Sequence, residues 1–339
     1  MNIFPVKDLY TKLRKKIIRY MYRGEPELYM IGTRAHVICT MYKFFEFRQK
    51  ARSSRMIIFM TEGTEFTGLA DRIRCIVSAY AVAKAYGLPF YIYHDKGFEL
   101  TKYLQPAQID WRIEKSDIRR GVNNVSLLWF KDAWPQLKLT RKEYHWYWSL
   151  NLFELGVVPS EIGTFSSNFQ SLFKYSPRLE SLVADALHFL QMKENDYVAV
   201  HIRFLNFFEA VEERCEAVDG TATKEEQAEM IQRVNDTLET IYRESGKPVV
   251  LFSDSNKFLA APHPEFALQL PGEVGHILCH EEHDAVTDKA FVDMMILSKA
   301  EKIYSITGPQ IYGGGFSRMA SFIGDKPFIQ VPLSGTQIS

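Results

Sequence analysis

Cysteine is scarce in this chain of 339 residues: Cys39, Cys75, Cys215 and Cys279 lie far apart, and none belongs to a CxxC pair. That spacing excludes a disulfide-built scaffold and predicts free thiols in a reducing compartment. Long apolar runs are missing too. No stretch reaches the roughly 18 uncharged apolar residues of a membrane span, and the N-terminus lacks the apolar core of a signal peptide. These absences predict a soluble, cytoplasmic protein. Net charge is also absent, since 41 Lys and Arg balance 41 Asp and Glu. The whole chain gives no polyanion signal, and no RNA- or DNA-binding module is recognisable. Nucleic acid is therefore not an expected partner.

What is present is core-forming material. Hydrophobic residues make up 46% of the chain, and the length suits two domains. Charge is uneven within the neutral whole. Residues 1–55 hold 13 Lys and Arg against 4 Asp and Glu. Over 6–22 the apolar positions Val6, Leu9, Leu13, Ile17 and Met21 share one helical face, while Lys12, Lys15, Lys16 and Arg19 fall elsewhere. Two readings stand: an interfacial helix on an anionic membrane surface, or an ordinary surface helix packed on its domain. A second basic helix is expected over 34–50.

From Met56 the pattern becomes strand and helix in alternation. Met56–Met60 reads as a buried strand. A Gly-containing loop, a helix over Leu69–Tyr86 and a strand over Leu88–Tyr93 complete a βαβ unit. A short helix over Phe98–Leu104 and a strand over Ser126–Phe130 follow. The aromatic-rich segment 131–170 has no clear period; it reads as core or as the lining of an acceptor groove. Ser176-Pro177 starts a helix that runs to Leu190. After a boundary near 195 the alternation resumes: strand Tyr197–Arg203, irregular 204–222, helix Thr223–Glu244, strand Val249–Phe252, helix Lys289–Lys299, strand Ile303–Ile306, helix Phe316–Ile323, strand Pro327–Val331. The expected organisation is a basic extension over 1–55, a Rossmann-like domain over 56–195 and a second over 196–339. A cleft lies between two doubly wound α/β units.

The chemistry gathers at strand ends, which face the ligand crevice of an open α/β sheet. His201 and Arg203 end one strand, and a guanidinium with its fixed fork of donors suits a diphosphate. The alternative for Arg203 is a buried partner for a structural carboxylate. Ser253-Asp254-Ser255 ends another strand, with Asp254 readable as a ligand contact or a helix cap. Thr307 and the turn Gly313-Gly314-Gly315 lead to Ser317 and Arg318, where a helix start would favour phosphate; a plain loop is the other reading. Gly68 precedes the helix that carries Arg72. Glu62 and Glu65 lie on the loop after the first strand and read as a general base or as solvated acids, Glu65 being preferred as base. His276, Cys279, His280 and His283 have metal-ligand chemistry, but their spacing matches no closed zinc module, so no metal site is expected.

Taken together, 68–94 (GLADRIRCIVSAYAVAKAYGLPFYIYH), 198–206 (VAVHIRFLN), 250–255 (VLFSDS) and 292–328 resemble the GDP-fucose-dependent fucosyltransferase superfamily, which includes bacterial α-1,2- and nodulation-factor α-1,6-transferases and the protein O-fucosyltransferases. The resemblance implies a GT-B architecture and an inverting, metal-independent transfer from a GDP-sugar to a glycan or lipid-linked acceptor, as in polysaccharide biosynthesis, without a resident cofactor. It implies that Arg203 holds the donor β-phosphate and that His201 lies in the nucleotide-sugar site. Asp254, Ser253 and Ser255 would contact the nucleotide, and Ser317 with the helix start at Gly315 would hold phosphate or base. Two positions depart from the family pattern: Asn206 stands where an acidic residue is usual, and the Gly-rich turn after Thr307 is long. A non-catalytic sugar- or nucleotide-binding protein, and a transferase using another nucleotide sugar, are the competing readings.

Overall fold

The structure is a computed structural model that describes residues 54–62, 68–95, 97–121, 124–128, 133–147, 151–209, 211–213, 216–218, 222–275, 277 and 284–334. The helices expected over 6–22 and 34–50, the preferred base Glu65, and the cluster His276, Cys279, His280 and His283 lie outside the described residues.

In chain order the first half contains β1 (Met56–Met60), α1 (Leu69–Ala85), β2 (Phe90–Tyr93), β3 (Leu104–Pro106), β4 (Val125–Leu128), β5 (Glu143–Trp146), α2 (Phe165–Leu172), β6 (Phe173–Tyr175) and α3 (Pro177–Phe189). The second half contains β7 (Val198–Ile202), the hairpin β8 (Val211–Glu213) and β9 (Glu216–Val218), α4 (Lys224–Ser245), β10 (Val249–Ser253), α5 (Asn256–Leu259), β11 (Ala267–Leu268), α6 (Asp284–Lys299), β12 (Ile303–Thr307), α7 (Gly315–Gly324) and β13 (Phe328–Pro332).

Two parallel sheets result. The first has the order β2-β1-β5-β4, and the second β11-β10-β7-β12-β13. The second is the doubly wound arrangement, in which chain order reverses direction between β7 and β12. The α/β architecture expected from the alternation, and the GT-B type that the resemblance implies, are therefore the observed ones. Its helix ends follow local chemistry. Ser176 caps α3 by accepting from Leu179 N–H, with Pro177 in the first turn. Thr223 and Glu226 form a reciprocal capping box on α4, and Gly246 closes that helix at φ 64°.

Three local expectations differ. The segment 98–104 is not a helix; only Leu100–Lys102 makes a 3-10 turn, and Leu104–Pro106 becomes a strand antiparallel to β6. The segment 204–222 includes the β8–β9 hairpin. Most consequential is β5, a central strand inside a stretch that showed no period. Its sequence is Glu-Tyr-His-Trp, and all four residues are buried. A buried parallel strand normally reads as an apolar run. Here Oε2 of Glu143 accepts from the backbone N–H of Arg119 at 3.0 Å and lies 3.1 Å from Nε2 of His145, and Oε1 stands 3.4 Å from Arg119 Nε, so the buried carboxylate has charged and polar partners inside the core.

One apolar cluster joins the two halves. Ile57, Phe59 and Trp146 of the first sheet belong to it together with Ala199, Val250 and the α6 and α7 residues Phe291, Met295 and Met319. Helix α6 meets the first half through charge. Asp288 accepts from Tyr103 Oη at 2.8 Å and from Arg178 Nε at 3.0 Å, and Asp284 pairs with Lys102. Helix α7 is bonded to α2 through Ser166 Oγ, which donates to the carbonyl of Ile323 at 2.7 Å. Among the described residues no helix is long and apolar enough to cross a membrane.

Candidate active site

The carboxyl ends of β7 and β12 flank the switch point of the second sheet, where ligands of open α/β sheets bind. Alternation along β7 sends Val198, Val200 and Ile202 to the face covered by α4. It sends Ala199, His201 and Arg203 to the face of α7.

His201 is buried and meets the start of α7. Its Nδ1 lies 3.2 Å from Ser317 Oγ, and its ring stacks on Phe316 with centroids 5.8 Å apart. The Ser317 hydroxyl also lies 3.2 Å from the carbonyl of Gly314. A neutral imidazole presents one donor and one acceptor nitrogen. Burial, reinforced by the charge of Arg203, pushes His201 down to about 3, so it is neutral at physiological pH. Gly314 is required by this packing: a Cβ there would stand 2.6 Å from Ser317 Oγ and 2.8 Å from His201 Nδ1.

The linkage has a definite sign. The ordinary imidazole value is 6.5, so between 6.5 and about 3 the unfolded chain binds a proton that folded His201 refuses. Stability is full above that window and falls as pH drops through it. Urea midpoints should decline more steeply for the wild type than for His201→Asn between about pH 6.5 and about pH 4; parallel curves would show that His201 does not govern this limb.

Arg203 follows the last residue of β7. Its side chain is 37% exposed, and Nε stands 3.9 Å from Asp254 Oδ2. It is not locked inside the core. Its carbonyl accepts from Tyr312 N–H at 2.8 Å, which binds the turn after β12 to the end of β7. Asp254 supports the same segment. Its Oδ1 accepts from Phe204 N–H at 2.8 Å and its Oδ2 from Leu205 N–H at 3.0 Å. These bonds hold Leu205 in a left-handed conformation, φ 53°, that a branched side chain seldom adopts. Burial raises the Asp254 carboxyl above its ordinary value, opposed by the two amides and Arg203.

The other sequence candidates divide by direction. Ser253 is buried, and its Oγ accepts from Ser255 N–H at 3.3 Å. Ser255 caps the short helix α5, accepting from Phe258 N–H at 3.1 Å and donating to Glu209 at 3.0 Å. Gly315 opens α7, whose cap residue Gly314 supplies no side-chain bond to the exposed amides. Asn206 lines a concavity beside Arg203. Arg318 turns outward: Nε meets Glu154 at 3.2 Å, and the guanidinium lies 4.8 Å from the Phe328 ring centroid. In the first half Gly68 is the cap residue of α1. Arg72 is buried with Nη1 2.6 Å from His94 Nε2 and its guanidinium over Phe98. Glu62 is held by Lys115 at 3.0 Å and by Arg120. Among the described residues no three His, Cys, Asp or Glu side chains converge as a metal site requires.

Sequence reading missed Tyr312, His94 and the Asp254 cradle. Each acts across 20 to 110 positions of chain, and no local period signals such a pairing.

No protein-family model matches the chain, and no curated protein does either. Solved structures do share its fold. A point mutant of FUT1 of Arabidopsis thaliana in complex with GDP superposes at TM-score 0.52 with 11% identity, covering 94% of this chain and 78% of that one. The fucosyltransferase NodZ from Bradyrhizobium superposes at 0.51 with 14% identity, covering 80% and 94%. A NodZ α-1,6-fucosyltransferase soaked with GDP-fucose gives 0.50 with 13% identity, covering 80% and 93%.

Proposed function

We propose that the chain is a glycosyltransferase that moves a sugar, fucose first among candidates, from a GDP-sugar to a hydroxyl of a glycan or lipid-linked acceptor. The carrying observation is Arg203: a partly exposed guanidinium at the switch point of a doubly wound sheet, on a segment whose following amides are held by Asp254. The fold neighbours that hold GDP or GDP-fucose support the nucleotide. In this reading the two domains are 56–195 for the acceptor and 196–339 for the donor, with 1–55 as a basic extension.

Breaking the sugar–phosphate bond develops positive charge on the ring and negative charge on the departing diphosphate. A preorganised guanidinium and the uncapped amides at the start of α7 stabilise that negative charge without needing a metal ion. Neutral His201 adds no competing charge. The acceptor hydroxyl attacks from the opposite face, which inverts the anomeric centre. A carboxylate base contributes about 10²–10⁴; Glu65 is our assignment, since Glu62 is engaged by two cations. Work at an anionic membrane surface through 6–22 fits the same biosynthetic role.

Calorimetric titration with GDP, UDP and CDP, followed by GDP-fucose turnover assays, tests the reading. We expect GDP to bind best and GDP-fucose to be consumed with an inverted product. Equal or absent affinity for all three nucleotides would overturn it.

A further inference from the structure

The chain that leaves Arg203 is tied down as far as Glu209, and side chains do the tying. Asp254 spans the first two amides, taking Phe204 N–H on one oxygen at 2.8 Å and Leu205 N–H on the other at 3.0 Å. Gln227 reaches over from α4, and its Nε2 lies within 3.3 Å of the carbonyls of Phe207, Phe208 and Ala222. Lys257 Nζ donates to the carbonyl of Phe208 at 3.1 Å. Glu209 closes the far end, its Oε1 accepting from Ser255 Oγ at 3.0 Å and from Lys257 N–H at 3.3 Å. Beneath, the rings of Phe204 and Phe208 are buried against Phe258 of α5, with centroids 4.8 and 5.5 Å away.

The tie acts first on the backbone of Arg203. The ladder before it ends at Ile202, paired with Ser253. The peptide group that joins Arg203 to Phe204 is then bonded at both of its ends: its carbonyl takes Tyr312 N–H at 2.8 Å, and its N–H goes to Asp254. The direction in which the Arg203 side chain leaves the backbone follows from these bonds. The held conformation is not one the segment keeps by itself. Leu205 has φ 53°, in the left-handed region that a side chain of this size disfavours. Such strain persists where the surroundings over-determine it.

The Asp254 side chain is 26% exposed, so a ligand can reach it. A ligand that drew the carboxylate toward itself would leave two amide donors without their acceptor and Leu205 without its support. Nε of Arg203 stands 3.9 Å from the carboxylate, beyond hydrogen-bond distance, so the hold passes through the peptide groups. Direction matters to the chemistry. A donor fork stabilises developing charge only when it is in place before the bond breaks, and a displacement of about 1 Å can cost a hundred-fold in rate.

We propose that Asp254 is a positioning residue: it sets the direction of Arg203 by holding the two peptide groups that follow it, and it is not a contact for the nucleotide. The effect on turnover rests on the transferase reading above; the hold on Arg203 does not. Asp254→Asn in the full chain keeps the size of the side chain and turns an NH₂ toward an amide donor. Turnover of GDP-sugar should lose about a hundred-fold in kcat, with KM changed far less. The preference for GDP over UDP should be unchanged. The NMR signal of Arg203 Nε–H, identified by its loss in Arg203→Lys, should be single and sharp in the wild type and should move to the position of a mobile arginine in Asp254→Asn. If that variant unfolds, Asp254→Asn with Leu205→Gly replaces it, because glycine takes φ 53° without being held; it should fold and still show low kcat and a mobile Arg203. An unchanged Arg203 signal or an unchanged kcat would overturn the proposal. An effect confined to KM, or a lost preference for GDP, would overturn it by assigning Asp254 to the nucleotide. Unfolding of both variants would overturn it by making Asp254 a support of the fold. A wild type that consumes no GDP-sugar, while its Arg203 signal still responds to Asp254→Asn, would sink the transferase reading alone.

Discussion

Replacing Arg203 by alanine should lower GDP-sugar turnover about a hundred-fold or more, the usual loss when a preorganised contact to developing charge is removed. GDP affinity should fall with it. The fold should be unaffected, because the side chain is more than a third exposed and Asp254, 3.9 Å away, keeps both amide donors when the guanidinium is gone. Exposed substitutions of this kind change stability by about 0.5 kcal/mol or less. Arg203→Lys separates charge from geometry. An ammonium restores the positive charge but not the flat fork of donors, so it should recover part of the affinity and little of the rate. Full activity in Arg203→Ala, measured by GDP release, would remove the centre of the mechanism. Unfolding in the same variant, read by circular dichroism, would mean that the guanidinium serves the fold instead.

Gly324→Ala should produce the largest loss of stability of any small substitution in the second half. A Cβ at that position would stand 2.0 Å from the carbonyl oxygen of Ser298 and 2.9 Å from its carbon. The obstacle is backbone, at the end of α6, and cannot rotate away. Helices α6 and α7 must separate, and both carry core side chains shared with the first half, among them Phe291, Met295, Met319 and Ile323. Overpacking of this kind costs about 1–3 kcal/mol and occasionally more; a backbone clash belongs at the upper end. Thermal unfolding checks it, with a clearly lowered midpoint expected. An unchanged midpoint would mean that α7 shifts freely, and then the seating of Ser317 against His201 would not be a rigid wall of the crevice.

Much of the fold is legible in the residues. The strand at Val198–Ile202 reads as an apolar run, and α4 is bounded by chemistry visible in sequence: Thr223 and Glu226 at its start, Gly246 at its end. The misread strand β5 shows where such reading stops. Glu143 and His145 look like surface residues, and it takes partners such as Arg119, distant in the chain, to make them tolerable in the core. The same limit applies at the site. Asp254 looks like a free ligand group until Phe204 and Leu205 donate both their amides to it. Arg318 and Arg72 look like partners for phosphate until Glu154 and His94 are found beside them.

By itself the sequence determined the alternation of strands and helices, the caps that end them, and the placing of Arg203 at a strand's carboxyl end. These depend on period, burial preference and turn chemistry, which act within a few residues. Tertiary structure alone decided the order of strands in each sheet, the bond from Tyr312 to Arg203, the cradle under Leu205 and the direction each charged group takes. Those are pairings between distant segments, and their energies exist only once the chain has brought the partners together.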